Sequence, residues 1–318
     1  MDNKMCKVII SYDCEGVWGM LDKIDTLNRR IFNHRNLINT YEQLVSLHEE
    51  FDLKATFAFV GALISTKEEF HNALKKYPNA IRANKWCKPI LTDKCNFSEK
   101  DIYLPELLEL IQNTNINHEI SSHGFSHLIM DKELDNDSLE FEISGIKDLA
   151  HKRNIDIISV IFPRNVINYE FINRTEFIFG YRAAPKLLTR FELLNRVYSL
   201  IKEFIPVCSS EQSDRYNGKV IIPGGFFVNW RCGARRLVPI WLTVLRFRIA
   251  LKHAKRKNGI VHIWLHPHNL ATGKNQMLLL RKLFYEINDF KKKHGLTVLT
   301  QADFINTESI EDNPKIIQ

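Results

Sequence analysis

Residues 7–16 read KVIISYDCEG, an apolar run that ends in two carboxylates and a glycine. Such a run is typical of a strand that is buried on both faces of a parallel sheet. Side chains two apart in a strand point to the same side, so we expect Asp13 and Glu15 to lie together at its carboxyl end. Two close carboxylates repel each other unless a cation lies between them. The pair therefore indicates a divalent metal or an arginine, with an ordinary pair of surface acids as the alternative.

Outward from this segment, short β-branched runs alternate with longer helical patterns along nearly the whole chain. The alternation predicts a distorted (β/α) barrel of seven or eight parallel strands. An open doubly wound sheet is the alternative, although no GxGxxG or GxxxxGK[ST] motif supports nucleotide binding. Strands are predicted at 7–12, 54–60, 118–122, 157–162, 181–184, 219–222, 260–265 and 296–300, and helices at 37–51, 104–112, 138–153, 187–204, 238–256 and 274–293. We expect one barrel domain, 1–306, followed by a polar tail, 307–318.

Three other predicted strands also end in polar residues. His123 and His127 in HGFSH could bind one metal from a single turn, or share that turn without a function. His266 in LHPHN stands where a general acid or base is expected, or is a loop histidine bound to backbone. Arg164 in FPRN could pair with a carboxylate and lower its pKa, or be a surface arginine. Because barrel active sites are built at the carboxyl ends of strands, the coincidence of four such ends predicts a site there.

The composition is that of a globular protein, with 45% hydrophobic and 25% charged residues. The longest apolar stretches are too short to cross a bilayer, and the first residues lack the pattern of a signal peptide, so we expect a cytoplasmic protein. Six scattered cysteines without a CxxC pair argue against a zinc ribbon or a disulfide framework. We expect most of them to be buried small hydrophobic residues, with Cys14 notable for lying between two acids.

The positive charge is unevenly distributed. The chain carries a net charge of +7, yet residues 215–285 contain fourteen Lys and Arg and no Asp or Glu, which leaves −7 for the remainder. Such a block predicts an anionic partner or membrane, with solvated helix faces as the alternative. Arg231, Arg235 and Arg236 precede a predicted helix, where the helix dipole disfavours cations. We therefore expect peripheral contact with an anionic membrane through 231–257, and no nucleic-acid partner.

The order of these motifs resembles the polysaccharide deacetylase family, the NodB-homology hydrolases. The family opens with a strand that ends in two acids, continues with a strand like KATFAFVG at 54–61, and then has a His-x-x-x-His motif like the one after EISS at 119–122. An Arg/Pro motif is matched loosely by Pro163-Arg164, and a Leu-His segment by Leu265-His266. The resemblance covers roughly residues 8–304. Here the first motif reads Asp-Cys-Glu instead of Asp-Asp, and the arginine follows its proline.

The resemblance implies a carbohydrate deacetylase and a role for each matched residue. It implies that Asp13 is the catalytic base, that Glu15, His123 and His127 hold a divalent metal, that Arg164 orients Asp13, and that His266 is the general acid. Zinc is the first candidate for a site of one carboxylate and two histidines, and cobalt, nickel and iron are compatible with the same donors.

The leading hypothesis is a hydrolase that removes an N-acetyl or N-formyl group from a sugar in surface-glycan biosynthesis. A cytoplasmic location and the basic block favour a nucleotide-linked or lipid-phosphate-linked sugar over a finished polymer. One alternative is a cyclic amide hydrolase of the allantoinase or imidase kind on the same barrel. Another is a catalytically silent protein that binds a glycan or a lipid carrier, against which the intact set of acids and histidines argues.

Overall fold

A ten-stranded sheet forms the centre of the computed structural model, which describes residues 6–92, 95–184, 203 and 213–312. Its strands are β1 Cys6–Cys14, β2 Thr56–Phe59, β3 Glu119–Ser122, β4 Ser159–Val160, β5 Gly180–Arg182, β6 Asp214–Tyr216, β7 Lys219–Ile222, β8 Phe226–Phe227, β9 Ile260–Leu265 and β10 Leu296–Leu299. Among these strands only β6 is antiparallel to its neighbour, β7, and all other pairs are parallel.

Strand β1 lies in the middle of the sheet and has three neighbours. It pairs with β9 along one side, and on its other side with β10 in its first half and β2 in its second half. The strand order is β6-β7-β5-β4-β3-β2-β1-β9-β8. Within the described ranges β6 and β8 remain edges, so the sheet is a curled half-barrel, and the predicted distorted (β/α) barrel is confirmed.

Eleven α-helices of the described ranges surround the sheet. They are α1 His34–Phe51, α2 Lys67–Lys75, α3 Ile81–Leu91, α4 Glu99–Ile102, α5 Glu106–Gln112, α6 Asn136–Arg153, α7 Tyr169–Arg174, α8 Ile240–Lys257, α9 His268–Thr272, α10 Gln276–His294 and α11 Gln301–Asp312. Short 3₁₀ helices lie at Trp18–Thr26, Gly61–Ile64, Pro163–Asn165 and Gly233–Leu237. No helix of the described ranges is long and apolar enough to span a bilayer.

The two faces of β1 lie in two different apolar clusters. Val8 and Ile10 belong to the large cluster between the sheet and its helices. Ile9, on the opposite face, belongs to a smaller cluster with residues of β7, β9, β10 and α11, including Phe304. Because β1, β3, β5 and β9 run parallel, their carboxyl ends meet at one edge. That edge brings together five of the predicted site residues, Asp13, Glu15, His123, His127 and His266.

The sequence predicted most of the central elements. All eight predicted strands are present, each within two residues at either end, and five predicted helices are present within three residues. The predicted helix 187–204 lies outside the described residues, apart from residue 203, which is helical. The short strands β6 and β8 and six helices were not predicted. The boundary predicted between 306 and 307 falls inside α11, so the helix continues into the predicted tail, while the domain division stays a prediction.

Candidate active site

The carboxylate of Glu15, directly after β1, lies between two imidazoles. Its Oε1 is 3.1 Å from Nε2 of His123 and 3.1 Å from Nε2 of His127. Both histidines follow β3, and all three side chains are buried. The structure thus brings together the three residues that the resemblance named as metal ligands.

The loop that carries the two histidines is fixed by a buried glutamate. Gly124 and His127 both have left-handed backbone conformations, with φ of +77° and +63°. Glu142 of α6 accepts hydrogen bonds from the backbone N–H of Phe125 at 2.6 Å and of Ser126 at 3.0 Å, and from the Ser126 hydroxyl. Burial raises the pKa of Glu142 to about 7, against the effect of these bonds. The glutamate therefore anchors the turn that aims both imidazoles at Glu15.

The donor atoms around Glu15 fit a divalent metal ion. Nδ1 of His123 is 2.7 Å from the carbonyl oxygen of Ile161, and a carbonyl only accepts, so Nδ1 carries the proton. Nε2 is the nitrogen that faces Oε1 of Glu15, and in the tautomer with its proton on Nδ1 it can offer a lone pair to a metal. A cation between Nε2 and Oε1 satisfies both. The 3.1 Å separation is close to the roughly 3.3 Å expected between ligands of a tetrahedral zinc ion.

Gly19 packs directly against the candidate metal ligand. It lies in the 3₁₀ helix Trp18–Thr26, which begins shortly after Glu15. A Cβ atom at this position would be 2.0 Å from Oε2 of Glu15, far inside van der Waals contact. A residue without a side chain is therefore needed here to leave room for the carboxylate.

Asp13 points to the same side of β1 as Glu15 but has a different partner. Arg182, at the end of β5, donates from Nη1 to Oδ1 and from Nη2 to Oδ2 of Asp13, both at 2.7 Å. The guanidinium also donates to Oδ1 of Asn165 at 3.0 Å and lies 4.1 Å from the ring centroid of Trp264. Burial acts to raise the pKa of Asp13, but the charge of Arg182 and the neighbouring imidazoles outweigh it and lower the pKa below its ordinary value. Asp13 is therefore ionised at neutral pH.

Arg164 does not take the place predicted for it. Its Nη2 donates to Oδ1 of Asp22 at 2.6 Å, and its guanidinium lies 5.6 Å from the ring centroid of Trp86. Arg164 has a left-handed backbone, with φ of +52°, inside the 3₁₀ helix that follows β4. Its side chain therefore extends to the 3₁₀ helix Trp18–Thr26 and to α3, and the position against Asp13 is filled by Arg182.

His266 follows β9 and approaches both carboxylates. Its Nε2 is 3.3 Å from Oε1 of Glu15 and 3.9 Å from Oδ2 of Asp13. Burial acts to lower the pKa of His266, but the two carboxylates outweigh it and raise the pKa above its ordinary value. Ligand atoms of Asp13, Glu15 and His266 all lie within 4.8 Å of one another, so the predicted acids and the predicted general acid form one group.

Three residues of this arrangement were not predicted from the sequence. Arg182 gave one signal in the sequence, because it is the single charged residue in the apolar strand predicted at 181–184. Glu142 lies on the buried side of the predicted helix 138–153. A buried charged residue needs a hydrogen-bond or charge partner, and this requirement was its signal. Gly19 gave no signal, since its importance depends on the position of the Glu15 carboxylate.

The curled parallel sheet, with polar groups gathered at its carboxyl edge, makes this chain a distorted (β/α) barrel of the NodB type. No protein-family model and no curated protein sequence matches the chain. Among solved structures it is similar to a candidate polysaccharide deacetylase from Mycobacterium smegmatis, with 14% identity, a TM-score of 0.57, and coverage of 98% of this chain and 92% of that chain. It is also similar to a candidate polysaccharide deacetylase from Pseudomonas aeruginosa PAO1, with 9% identity, a TM-score of 0.56, and coverage of 99% and 94%.

A third similar structure is the Puue allantoinase, with 11% identity, a TM-score of 0.55, and coverage of 99% of this chain and 93% of that chain. At these identities the three likenesses establish a shared fold. They confirm the fold that the resemblance of the motifs implied.

Proposed function

We propose that this protein is a metal-dependent hydrolase that removes an N-acetyl or N-formyl group from a sugar. The observation that carries the proposal is the meeting of a carboxylate oxygen and two imidazole nitrogens around Glu15, beside an arginine-bound carboxylate and a third imidazole. An amide hydrolase needs a metal site, a base and an acid within reach of one carbonyl, and this edge offers all three. The fold shared with two candidate polysaccharide deacetylases supports the same reaction class.

Glu15, His123 and His127 would hold the metal. Zinc is the first candidate for this donor set, and cobalt, nickel or iron are compatible with it. When bound, such an ion polarises the substrate carbonyl and lowers the pKa of water. The hydrogen bond from His123 Nδ1 to the Ile161 carbonyl fixes the ring in the orientation that ligation requires.

Asp13 would act as the base that accepts a proton from the attacking water. The two parallel hydrogen bonds from Arg182 hold the carboxylate in one orientation and keep it ionised. Trp264 and Asn165 in turn hold the guanidinium in place. Arg182 is thus a positioning residue, which acts on the substrate through Asp13.

His266 would donate a proton to the leaving amine. An amide nitrogen leaves poorly unless it is protonated as the carbon–nitrogen bond breaks, so the acid has to be charged at working pH. The raised pKa of His266 serves this requirement. Its Nε2 lies 3.3 Å from Oε1 of Glu15, which places the proton donor beside the candidate metal site.

The substrate class follows from the charge of the chain. We propose a nucleotide-linked or lipid-phosphate-linked acylated sugar, because residues 215–285 contain fourteen Lys and Arg and no Asp or Glu, and an anionic substrate complements those that are exposed, such as Arg236 and Lys282. A role in surface-glycan biosynthesis in the cytoplasm belongs to the same proposal.

A mass-shift screen tests this function. Zinc-loaded protein is incubated with N-acetyl and N-formyl sugars in free, nucleotide-linked and lipid-phosphate-linked forms, and the products are weighed for loss of an acetyl or formyl group. Chelator-treated protein and the His123→Ala variant should lose metal and turnover together. Full turnover after the metal has been removed would contradict the proposal.

A cyclic amide hydrolase is the second candidate. The similarity to the Puue allantoinase, with a TM-score of 0.55, favours it about as much as the other likenesses favour a deacylase. Ring opening adds the mass of one water without releasing a fragment, so cyclic ureides and imides in the same screen separate the two reactions. Metal binding without turnover of any substrate class would instead indicate a catalytically silent binding protein.

A further inference from the structure

The basic block 215–285 divides into internal and surface residues. Arg231 is buried, and its guanidinium donates to the carbonyls of Lys274 at 2.9 Å, Arg236 at 3.2 Å and Val238. Arg246 is also buried, and it pairs with Glu203. Neither arginine is available to an outside anion, which corrects the expectation that Arg231 belongs to a binding surface.

Exposed apolar side chains are concentrated where the block reaches the surface. Eight large hydrophobic side chains are exposed in the described ranges, and four of them lie on α8, α10 and the 3₁₀ helix that precedes α8. Leu237 is 73% exposed, Trp241 65%, Tyr285 62% and Leu278 45%. Trp241, Leu278 and Tyr285 line one groove between α8 and α10. We call these four residues, with Arg236 and Lys282, the rim patch.

The charges of the rim patch are positive and in part unpaired. Arg236 and Lys282 are exposed, and neither forms an ion pair with the residues that the structure describes. Arg248 and Arg281, which also line the groove, pair with Glu286 and Glu50. Tryptophan and tyrosine beside arginine and lysine is the composition of surfaces that rest in the headgroup region of a bilayer.

The rim patch lies at the same end of the molecule as the candidate active site. Trp241 and Leu278 lie in the first turns of α8 and α10, and both helices begin at the carboxyl edge of the sheet. Arg231 links the segment before α8 to the segment before α10, through Lys274 and through its N–H to Gln276 at 3.0 Å. The patch is therefore a fixed surface beside the edge that carries His266.

The basic run at 252–257 lies at the other end of α8. The helix has eighteen residues, so its ends are about 27 Å apart. Basic residues in a last turn are favoured by the helix dipole, which accounts for this run without a partner. The membrane contact that the sequence predicts through 231–257 is therefore limited to the residues before α8 and in its first turn. It also includes residues of α10.

We propose that the rim patch docks the protein on an anionic lipid bilayer, with the carboxyl edge of the sheet facing the membrane surface. Apolar side chains would enter the headgroup region, and Arg236 and Lys282 would bind acidic headgroups. A second copy of the chain fits less well, because a two-fold interface would bring the same cations together. Docking of this kind places the site beside a lipid-phosphate-linked sugar, a consequence that rests on the proposed function, whereas the docking itself does not.

Vesicle co-sedimentation tests the proposal without a substrate. Wild-type protein should bind vesicles of phosphatidylglycerol and phosphatidylcholine and should not bind phosphatidylcholine alone. Arg236→Gln with Lys282→Gln should lower the partition coefficient roughly thirtyfold, and Leu237→Ser with Trp241→Ser at least about tenfold. Two controls should bind as the wild type does: Lys255→Gln with Arg256→Gln at the far end of α8, and Ile81→Ser, which alters an equally exposed apolar residue on α3.

Several outcomes would overturn the docking surface. Wild-type protein that stays in the supernatant with anionic vesicles would do so, as would far-end variants that lose as much binding as the rim variants. Concentration-dependent self-association that Trp241→Ser abolishes would identify the patch as an interface between two copies. Thermal unfolding of each variant checks that it is folded. Turnover of a soluble acylated sugar does not require docking on a membrane and is measured separately. Failure of the docking proposal therefore leaves the proposed function standing, and the reverse also holds.

Discussion

On one face of β1, Asp13 binds Arg182 and approaches His266, whereas on the other face Tyr12 binds His48 and the buried Cys14 thiol donates to the Tyr12 carbonyl. Both faces are enclosed, and the two sets alternate along one short segment. On the first face, neighbouring cations outweigh the cost of burial, and the pKa of Asp13 falls below its ordinary value.

On the second face burial dominates. It raises the pKa values of Tyr12 and Cys14 well above their ordinary values, and it lowers the pKa of His48 to about 3. All three groups are therefore neutral at pH 7. Adjacent residues of the strand point to opposite faces, so their surroundings differ. A titratable group is kept charged for chemistry on one face and kept neutral for packing on the other.

Replacing Asp13 or Glu15 by its amide has the largest expected effect. The two variants test whether one acid is the base and the other is a metal ligand. Asp13→Asn should lower kcat by about 10²–10⁴-fold and leave the metal bound, because it removes a base and not a ligand. Glu15→Gln should weaken metal binding by more than about 100-fold, because a neutral amide oxygen replaces a charged ligand. Metal analysis after dialysis, alongside single-turnover rates, separates the two.

The opposite pattern would exchange the two roles. Cys14→Ser is the matched control, since it alters the residue between the two acids on the other face of the strand. It should leave metal content and kcat close to those of the wild type.

The second test concerns the arginine that holds Asp13. Arg182→Met leaves a buried carboxylate without its partner, which costs about 3–5 kcal/mol of unfolding free energy and should raise the pKa that limits kcat. Arg164→Met removes a half-exposed pair with Asp22 and should cost at most about 1 kcal/mol. Denaturant unfolding and the pH profile of kcat measure both effects.

Arg182→Lys should recover part of the stability but less of the rate, because a lysine cannot bind both oxygens of Asp13 in a fork. Equal losses of stability and of kcat in Arg164→Met and Arg182→Met would mean that a positive charge near the site is what matters. The two parallel hydrogen bonds to Asp13 would then have no special role.

The third test fills the space beside Glu15. Gly19→Ala places a methyl group where the carboxylate lies, so it should lower metal affinity by about 10–100-fold although no ligand is altered. Met20→Ala, in the same 3₁₀ helix, is the control. Isothermal titration with zinc compares them, and unchanged affinity in Gly19→Ala would show that Glu15 is not a ligand.

The charged face was predicted from the sequence where its residues are local, and missed where they are distant. Asp13 with Glu15, and His123 with His127, lie within five residues of each other at the ends of apolar strands, so period and spacing reveal them. Arg182 is 169 residues from Asp13, and only the strand order brings β5 and β1 to one edge. Arg164 looked equivalent in sequence, but its left-handed backbone turns it elsewhere, and nothing in FPRN announces that conformation.

The missed elements have a similar physical cause. β8 has two residues and β6 has three, too few to show an alternation of apolar side chains. α3 contains Pro89, a residue that normally ends a helix. Their conformations are set by neighbours in space, which a pattern along the chain does not contain.

The last and smallest test addresses the neutral face, through the pH dependence of stability. His48 accepts a hydrogen bond from the Tyr12 hydroxyl at Nε2, 2.7 Å away, and donates from Nδ1 to the Leu53 carbonyl, so the native ring has no room for a second proton. Burial, with His118 nearby, lowers its pKa from 6.5 to about 3.

Between these pH values the unfolded chain binds a proton that the native protein does not, so the contribution of His48 to stability is complete above pH 6.5 and is lost as the pH falls. The slope is at most about 1.4 kcal/mol per pH unit. His48→Gln should lower stability at neutral pH, where the contribution of His48 is complete, and reduce the acid-side slope by up to one proton, so that the difference from the wild type shrinks as the pH falls; denaturant unfolding from neutral pH downward measures both. His151→Gln, which removes an exposed histidine, is the control, and an unchanged slope in His48→Gln would mean that His48 is already protonated in the native protein.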